Sequence, residues 1–366
     1  MQIALNIMLI LMGIFVAAFL LMKFYPVFGG QISKGKQEHL RKSKNYHNGR
    51  FVNQIPTSMD MKFKENVGTL IDFIKGNPNG KPKQPITVEQ FVKGTGSQRT
   101  RITWFGHSAF LIEIDGKTIL LDPMFGTTPS PFPMIGGKRY SGKLPFELDE
   151  LPEIDIVLLS HNHYDHLDFG TIKKIKHKVQ RFITPLGVGS NLEKWGVESS
   201  RIEEHDWWDD FHYKGLDFVC TPARHFSGRS LLDRDATLWC SWIINGMETN
   251  IFFSGDSGYA PHFKEIGEKY GPFDVTLMEC GQYDERWASI HMVPEETVQA
   301  HMDVKGKLMI PIHWAAFTLA LHDWTDPVDR AVKAATERNV AISTPRIGET
   351  IVLGSSDYPT AAWWKN

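Results

Sequence analysis

The stretch "IDIVLLSHNHYDHLD", residues 154–168, constrains this chain more than any other. Its first half is apolar and β-branched, and reads as a strand buried on both faces. Its second half places His161, His163, Asp165 and His166 within six positions. In an extended segment His161 and His163 point the same way, because side chains alternate. Asp165 and His166 follow as the chain turns. Imidazole nitrogens and carboxylate oxygens are ligands for zinc and similar ions. Burying three imidazoles and a carboxylate together without a metal is costly. One cluster cannot close two coordination shells, so further ligands are expected elsewhere.

The same arrangement of apolar run and terminal ligand recurs. His225 ends "GLDFVCTPARH", Asp256 ends "TNIFFSGD" and His313 ends "KLMIPIH". Ligands at strand ends converge on one rim of a sheet, a usual place for α/β sites. Further strands read at "RFITP", "TLWCSWII" and "DVTLMEC", and "RITWFGHSAFLIEIDGKTILLDP" reads as a hairpin turning at Asp115-Gly116. Helices read near Phe169–Lys178 and at "HFKEIGEKY", "PEETVQAHM" and "PVDRAVKAATERN". Strands come first in a hairpin-rich run and then alternate with helices, which predicts an α/β sandwich with mixed sheets. A hydrophobic fraction of 42% permits a sizeable core, and a net charge of -2 gives no reason to expect nucleic-acid binding. Cys220, Cys240 and Cys280 form no C-x-x-C pair and read as small buried hydrophobes.

The N-terminus has a different texture. Ile3 to Met22 carries no charge, and about 20 such residues can span a bilayer as a helix. The expectation is a retained anchor over residues 1–23; a cleaved signal peptide is the rival. Lys23, Lys34, Lys36, Arg41, Lys42, Lys44 and Arg50 follow against one acid, Glu38, which predicts a single-pass protein with its body on the cytoplasmic side. Residues 24–98 read as a basic linker and arm containing one helix at "VGTLIDFI", and residues 99–366 as the catalytic domain.

The order H-x-H-x-D-H, then His, Asp and His, resembles the metallo-β-lactamase-fold hydrolases. Within them, "WFGHSAFLIEI", "SHNHYDHLD", "FFSGDSGY", "HMVPEETVQAHM", "IHWAAFTLALHDW" and "GRFVNQIPT" resemble the N-acylphosphatidylethanolamine phospholipase D family and its bacterial relatives. The resemblance implies an αβ/βα four-layer sandwich with two divalent ions, zinc foremost, with iron or manganese as alternatives. One ion would be held by His161, His163 and His225, the other by Asp165, His166 and His313, with Asp256 bridging. A hydroxide held between two cations is a nucleophile suited to phosphodiesters. The expected activity is therefore phospholipase D-type hydrolysis of a phospholipid at a membrane. A lactonase of small soluble substrates and a non-catalytic metal-binding membrane partner are the alternatives.

Asp165, Asp256 and His291 are the expected catalytic residues. His291 lines the pocket or packs a helix end. Asp122, at the end of "TILLDP", is expected to orient a ligand histidine. His107 is read as an outer partner or pocket residue. Trp314 is read as an outer partner of the ligands or as a pocket residue, and with Phe317, Trp324, Trp207 and Trp208 as a candidate for an acyl-binding surface. Arg224 and Arg229 are candidates for holding a phosphate or for ion pairing.

Overall fold

The computed structural model describes residues 2–57, 63–94 and 99–365. Helix α1 (Gln2–Phe24), helix α2 (Lys34–Leu40), a small hairpin of β1 (Tyr46–His47) and β2 (Arg50–Phe51), and helix α3 (Phe63–Lys75) come first. The helix expected at Val67–Ile74 lies inside α3. The boundary expected at residue 98 falls among residues 95–98, outside those described.

Then follow β3 (Arg101–Trp104), β4 (Phe110–Ile114), β5 (Lys117–Leu121), β6 (Ile154–Leu158), α4 (Phe169–Ile175), β7 (Val179–Pro185), α5 (Gly189–Lys194) and β8 (Ile202–His205). The second half runs β9 (Asp210–Tyr213), β10 (Leu216–Thr221), β11 (Ser241–Asn245), β12 (Asn250–Phe253), α6 (His262–Tyr270), β13 (Phe273–Glu279), α7 (Pro294–Asp303), β14 (Gly306–Ile312), α8 (Asp326–Glu337), β15 (Ala341–Ile342) and β16 (Thr350–Val352). One seven-stranded sheet has the order β16-β3-β4-β5-β6-β7-β8, the other β15-β14-β13-β12-β11-β10-β9. Each has antiparallel pairs at one end and parallel pairs at the other.

Strand alternation builds the layers. Phe110, Ile112 and Ile114 of β4 face the core shared with Phe218, Trp242, Phe253, Leu277 and Ile310 of the other sheet. Leu111 and Val157 face outward onto Ile172 and Ile175 of α4. On the far side Ile243, Phe252 and Met309 meet Phe263 and Ile266 of α6, Val298 of α7 and Ala335 of α8. The result is the expected αβ/βα sandwich. The arm joins it: Leu40, Phe51 and Ile86 enter the shared core.

Local chemistry explains the turns. Asp115 (φ 48°) and Gly116 (φ 72°) are both left-handed between β4 and β5, as a two-residue hairpin turn with the strand's own twist requires. The run "TLWCSWII" becomes a strand only from Ser241. Leu238 N donates to the Leu186 carbonyl and Cys240 N to the Ser160 carbonyl, so this stretch bonds across to the first sheet's loops. Among the described residues, α1 is the one helix long and apolar enough to cross a membrane, and none of its residues is buried.

Candidate metal centre

The strand directions place every candidate ligand at one rim. β10 and β12 each run antiparallel to β11, and β12, β13 and β14 are parallel, so His225, Asp256, Glu279 and His313 emerge at the same edge. In the first sheet β3, β5 and β6 run the same way, which puts His107, Asp122 and the 161–166 cluster at that sheet's corresponding edge. The two rims are bolted together: His313 N donates to the His107 carbonyl and His107 N to the Trp314 carbonyl, each at 3.1 Å. His107 (φ 56°), Asp122 (φ 35°) and His313 (φ 65°) all hold left-handed backbone. Such conformations cost about 1–3 kcal/mol each and persist where surrounding structure fixes them.

Hydrogen bonds set the direction of each ring. His225 Nδ1 donates to the Ile290 carbonyl (3.1 Å), which leaves a lone pair on Nε2. Asp122 accepts from Ser160 Oγ, and Ser160 Oγ in turn accepts from His161 Nδ1 (2.9 Å), so His161 Nε2 also presents a lone pair. Those two nitrogens converge on His163 Nδ1, at 2.9 Å from His161 and 3.2 Å from His225. His166 Nδ1 donates to Asp122 Oδ2 at 2.7 Å, so its Nε2 faces inward, buried and without a hydrogen bond. The ligand atoms of His107, Asp165, His166 and His313 form a second group, all within 4.8 Å of one another. Asp256 Oδ2 stands between the groups, 3.1 Å from His166 Nε2 and His313 Nε2 and 3.8 Å from His161 Nε2 and His225 Nε2.

The electrostatics point the same way. Burial holds His161 and His225 well below the usual imidazole range and His163 at about 4, so this triad is neutral. Two of these neutral rings aim a lone pair at Nδ1 of the third, an arrangement of nitrogens that a cation can share. Asp165 and Asp256 are held well below the carboxylate range: burial opposes this, and the neighbouring His166 imidazolium outweighs it. Burial also works against the charge on His166, yet Asp256, Asp165 and Asp122 together hold it well above its ordinary value. A buried set of three carboxylates is a site that cations neutralise. The donor set therefore fits metal, and this His/Asp cluster could hold it.

Outer residues complete the site. His107 is neutral, pushed down to about 3 by burial and then by His313, and its Nε2 lies 2.9 Å from Asp165 Oδ2. Glu279, absent from the sequence expectations, is fully buried, contacts His291 Nδ1 and accepts from Ser257 N. Its carboxyl is pushed well above the ordinary range by burial and then by Asp256. It closes β13 as Asp256 follows β12, so the strand-end pattern itself was the signal. Asn53 of the arm clamps a ligand: Nδ2 donates to the His225 carbonyl (2.8 Å) and Oδ1 accepts from His225 N (3.1 Å).

Other expectations need correcting. Trp314 is core rather than pocket, 1% exposed, stacked on Trp104 and Trp363 with its indole donating to the Pro311 carbonyl. The aromatics do not gather into one surface either: Trp207 bonds the Trp239 carbonyl, Trp208 stacks on Tyr270 and Trp324 packs on Tyr140. Arg229 is a brace, buried under Tyr164 and donating to the carbonyls of Val27, Asn162 and Leu167. Arg224 ties the arm down through Pro56 and Thr57.

Residues 117–314 match the beta-lactamase superfamily domain. The chain belongs to the metallo-β-lactamase superfamily. It is 41% identical over 331 residues to an uncharacterized protein of Mycobacterium tuberculosis, covering 88% of each chain. It is 32% identical over 263 residues to N-acyl-phosphatidylethanolamine-hydrolyzing phospholipase D 1 of Caenorhabditis elegans, covering 68% of this chain and 72% of that one. Among solved structures, the metallo hydrolase Igni18 of Ignicoccus hospitalis superposes with a TM-score of 0.55 at 22% identity, over 70% of this chain and 99% of that one. This metallo-β-lactamase superfamily member is a metal-dependent hydrolase.

Proposed function

We propose that this hydrolase is a membrane-anchored phosphodiesterase of phospholipase D type, acting on N-acylphosphatidylethanolamine or a related phospholipid. Its partners are that lipid and the bilayer, not nucleic acid. The observation that carries the reading is the likeness to the worm phospholipase D, which extends over 68% of the chain. The exposed apolar helix α1 supports it. The basic flank from Lys23 to Arg50 argues that the body lies on the cytoplasmic side.

In this reading His161, His163 and His225 would hold one divalent ion and Asp165, His166 and His313 a second, with Asp256 available to either. Two zinc ions there would supply Lewis-acid stabilisation of phosphoryl charge and activation of water. The chain's own groups do the rest. Asp122 orients the His166 ring through Nδ1, and Ser160 orients that of His161. His107 fixes the Asp165 carboxylate. His291 offers a ring nitrogen within 4.8 Å of the Asp256 and His225 ligand atoms, and its Nδ1 contacts Glu279. In this reading His291 delivers a proton to the departing alcohol oxygen as the phosphorus–oxygen bond breaks.

The test is purified, metal-loaded protein assayed on N-acylphosphatidylethanolamine vesicles, a soluble phosphodiester and a lactone series. Release of phosphatidic acid supports the reading. Ready lactone cleavage with no phosphodiester turnover overturns it.

A further inference from the structure

Met134 and Leu231 are the most exposed large apolar side chains among the described residues, 97% and 90% exposed, and each has an exposed apolar neighbour, Ile135 and Leu232. Single exposed apolar residues are ordinary, whereas clustered ones mark a surface that meets something apolar. The two pairs sit on separate loops, and both loops touch one place: the segment where α1 enters the body. The 128–137 loop does so through Phe132, whose ring lies 6.0 Å from those of both Tyr25 and Phe28. The 228–233 loop does so through Arg229, whose Nε donates to the Val27 carbonyl at 3.0 Å. Both loops that carry the apolar tips therefore brace the foot of the apolar helix.

The same loop is tied to the metal ligands. Asn162, between His161 and His163, accepts from Gly228 N at 2.9 Å, and its carbonyl accepts from Arg229 Nη1 at 2.7 Å. Phe226 lies 4.4 Å, ring to ring, from His163.

The geometry points to a second, monotopic membrane contact: the tips Met134–Ile135 and Leu231–Leu232 dip into the bilayer interface beside α1 and hold the metal rim against the lipid. The occupant is lipid because the loops carrying these tips brace the foot of the helix that the proposed function puts in the membrane, on which this inference rests. Interfacial apolar side chains of this kind bury about 5–10 Å into the headgroup and acyl boundary. A rim held there receives a lipid headgroup without the lipid leaving the bilayer.

The experiment uses the full chain in phosphatidylcholine–phosphatidylglycerol vesicles containing lipids spin-labelled on the upper acyl chain. The three native cysteines are buried, so a membrane-impermeant fluorescent thiol reagent applied in detergent reports single introduced sites. The variants are Met134→Cys, Leu231→Cys, Ile10→Cys in α1, and Met247→Cys, an 81% exposed position in the turn at the opposite end of the strands. Quenching at 134 and 231 at least about twofold above that at 247 supports the contact. Quenching at 10 alone overturns the contact and leaves the anchor standing. No quenching at any site overturns both. Quenching at 134 and 231 without quenching at 10 supports the contact and removes the spanning role of α1.

Discussion

In the first sheet one strand end carries four candidate ligands: β6 stops at Leu158, and His161, His163, Asp165 and His166 follow at once. In the second sheet the ligands are spread, His225 beyond β10, Asp256 beyond β12 and His313 beyond β14. The two sheets have matching strand orders and share a core, yet one delivers its chemistry as a local motif and the other as a convergence. The difference teaches where each half is vulnerable. The compact cluster depends on the ring directions set by Asp122 and Ser160. The dispersed set depends on three strands keeping register, and on the paired bonds between His107 and the His313–Trp314 segment.

The largest effect is expected where the halves meet. Asp256→Asn removes the carboxylate that stands within 3.8 Å of ring nitrogens in both groups; turnover falls to background and metal content drops, while thermal unfolding stays cooperative. Retained metal with that loss would break the view that Asp256 joins the halves. Next, His291→Ala lowers kcat about a hundredfold with metal content unchanged, if it moves a proton rather than binds metal. Metal lost in parallel would count it as a ligand. Asp122→Asn, which touches only first-sheet residues, weakens metal binding by roughly 10- to 100-fold in chelator competition. The smallest effect is at the arm. Asn53→Ala removes two bonds to the His225 backbone and costs about 1–3 kcal/mol in denaturant unfolding, with metal retained at saturation.

The same contrast decides what the sequence made legible. The apolar runs of β6, β10, β12 and β14 and the ligands after them could be read directly, because buried strands and clustered imidazoles leave local patterns. Asp122 was legible through the resemblance of "TILLDP" to the family's early aspartate, and the structure puts it on His166. Glu279 was missed because a lone glutamate after "DVTLM" has no local partner; His291 and Ser257 reach it only through the fold. Asn53 lies 172 residues from His225, so although "GRFVNQIPT" carries part of the family resemblance, its partner could not be read from it. Trp314 was misplaced because a tryptophan beside a ligand reads equally as pocket or core, and only the stack with Trp104 and Trp363 decides. The short strands β8, β9, β15 and β16 carry no long apolar run, since they lie at or beside sheet edges.

In the proposed function the two halves together hold two ions. The most direct measurement is metal content per chain by elemental analysis of the protein, compared with His163→Ala and His313→Ala, one variant from each half. The account predicts two equivalents in the parent protein and one in each variant at limiting metal. One equivalent in the parent, lost in only one of the variants, would contradict it.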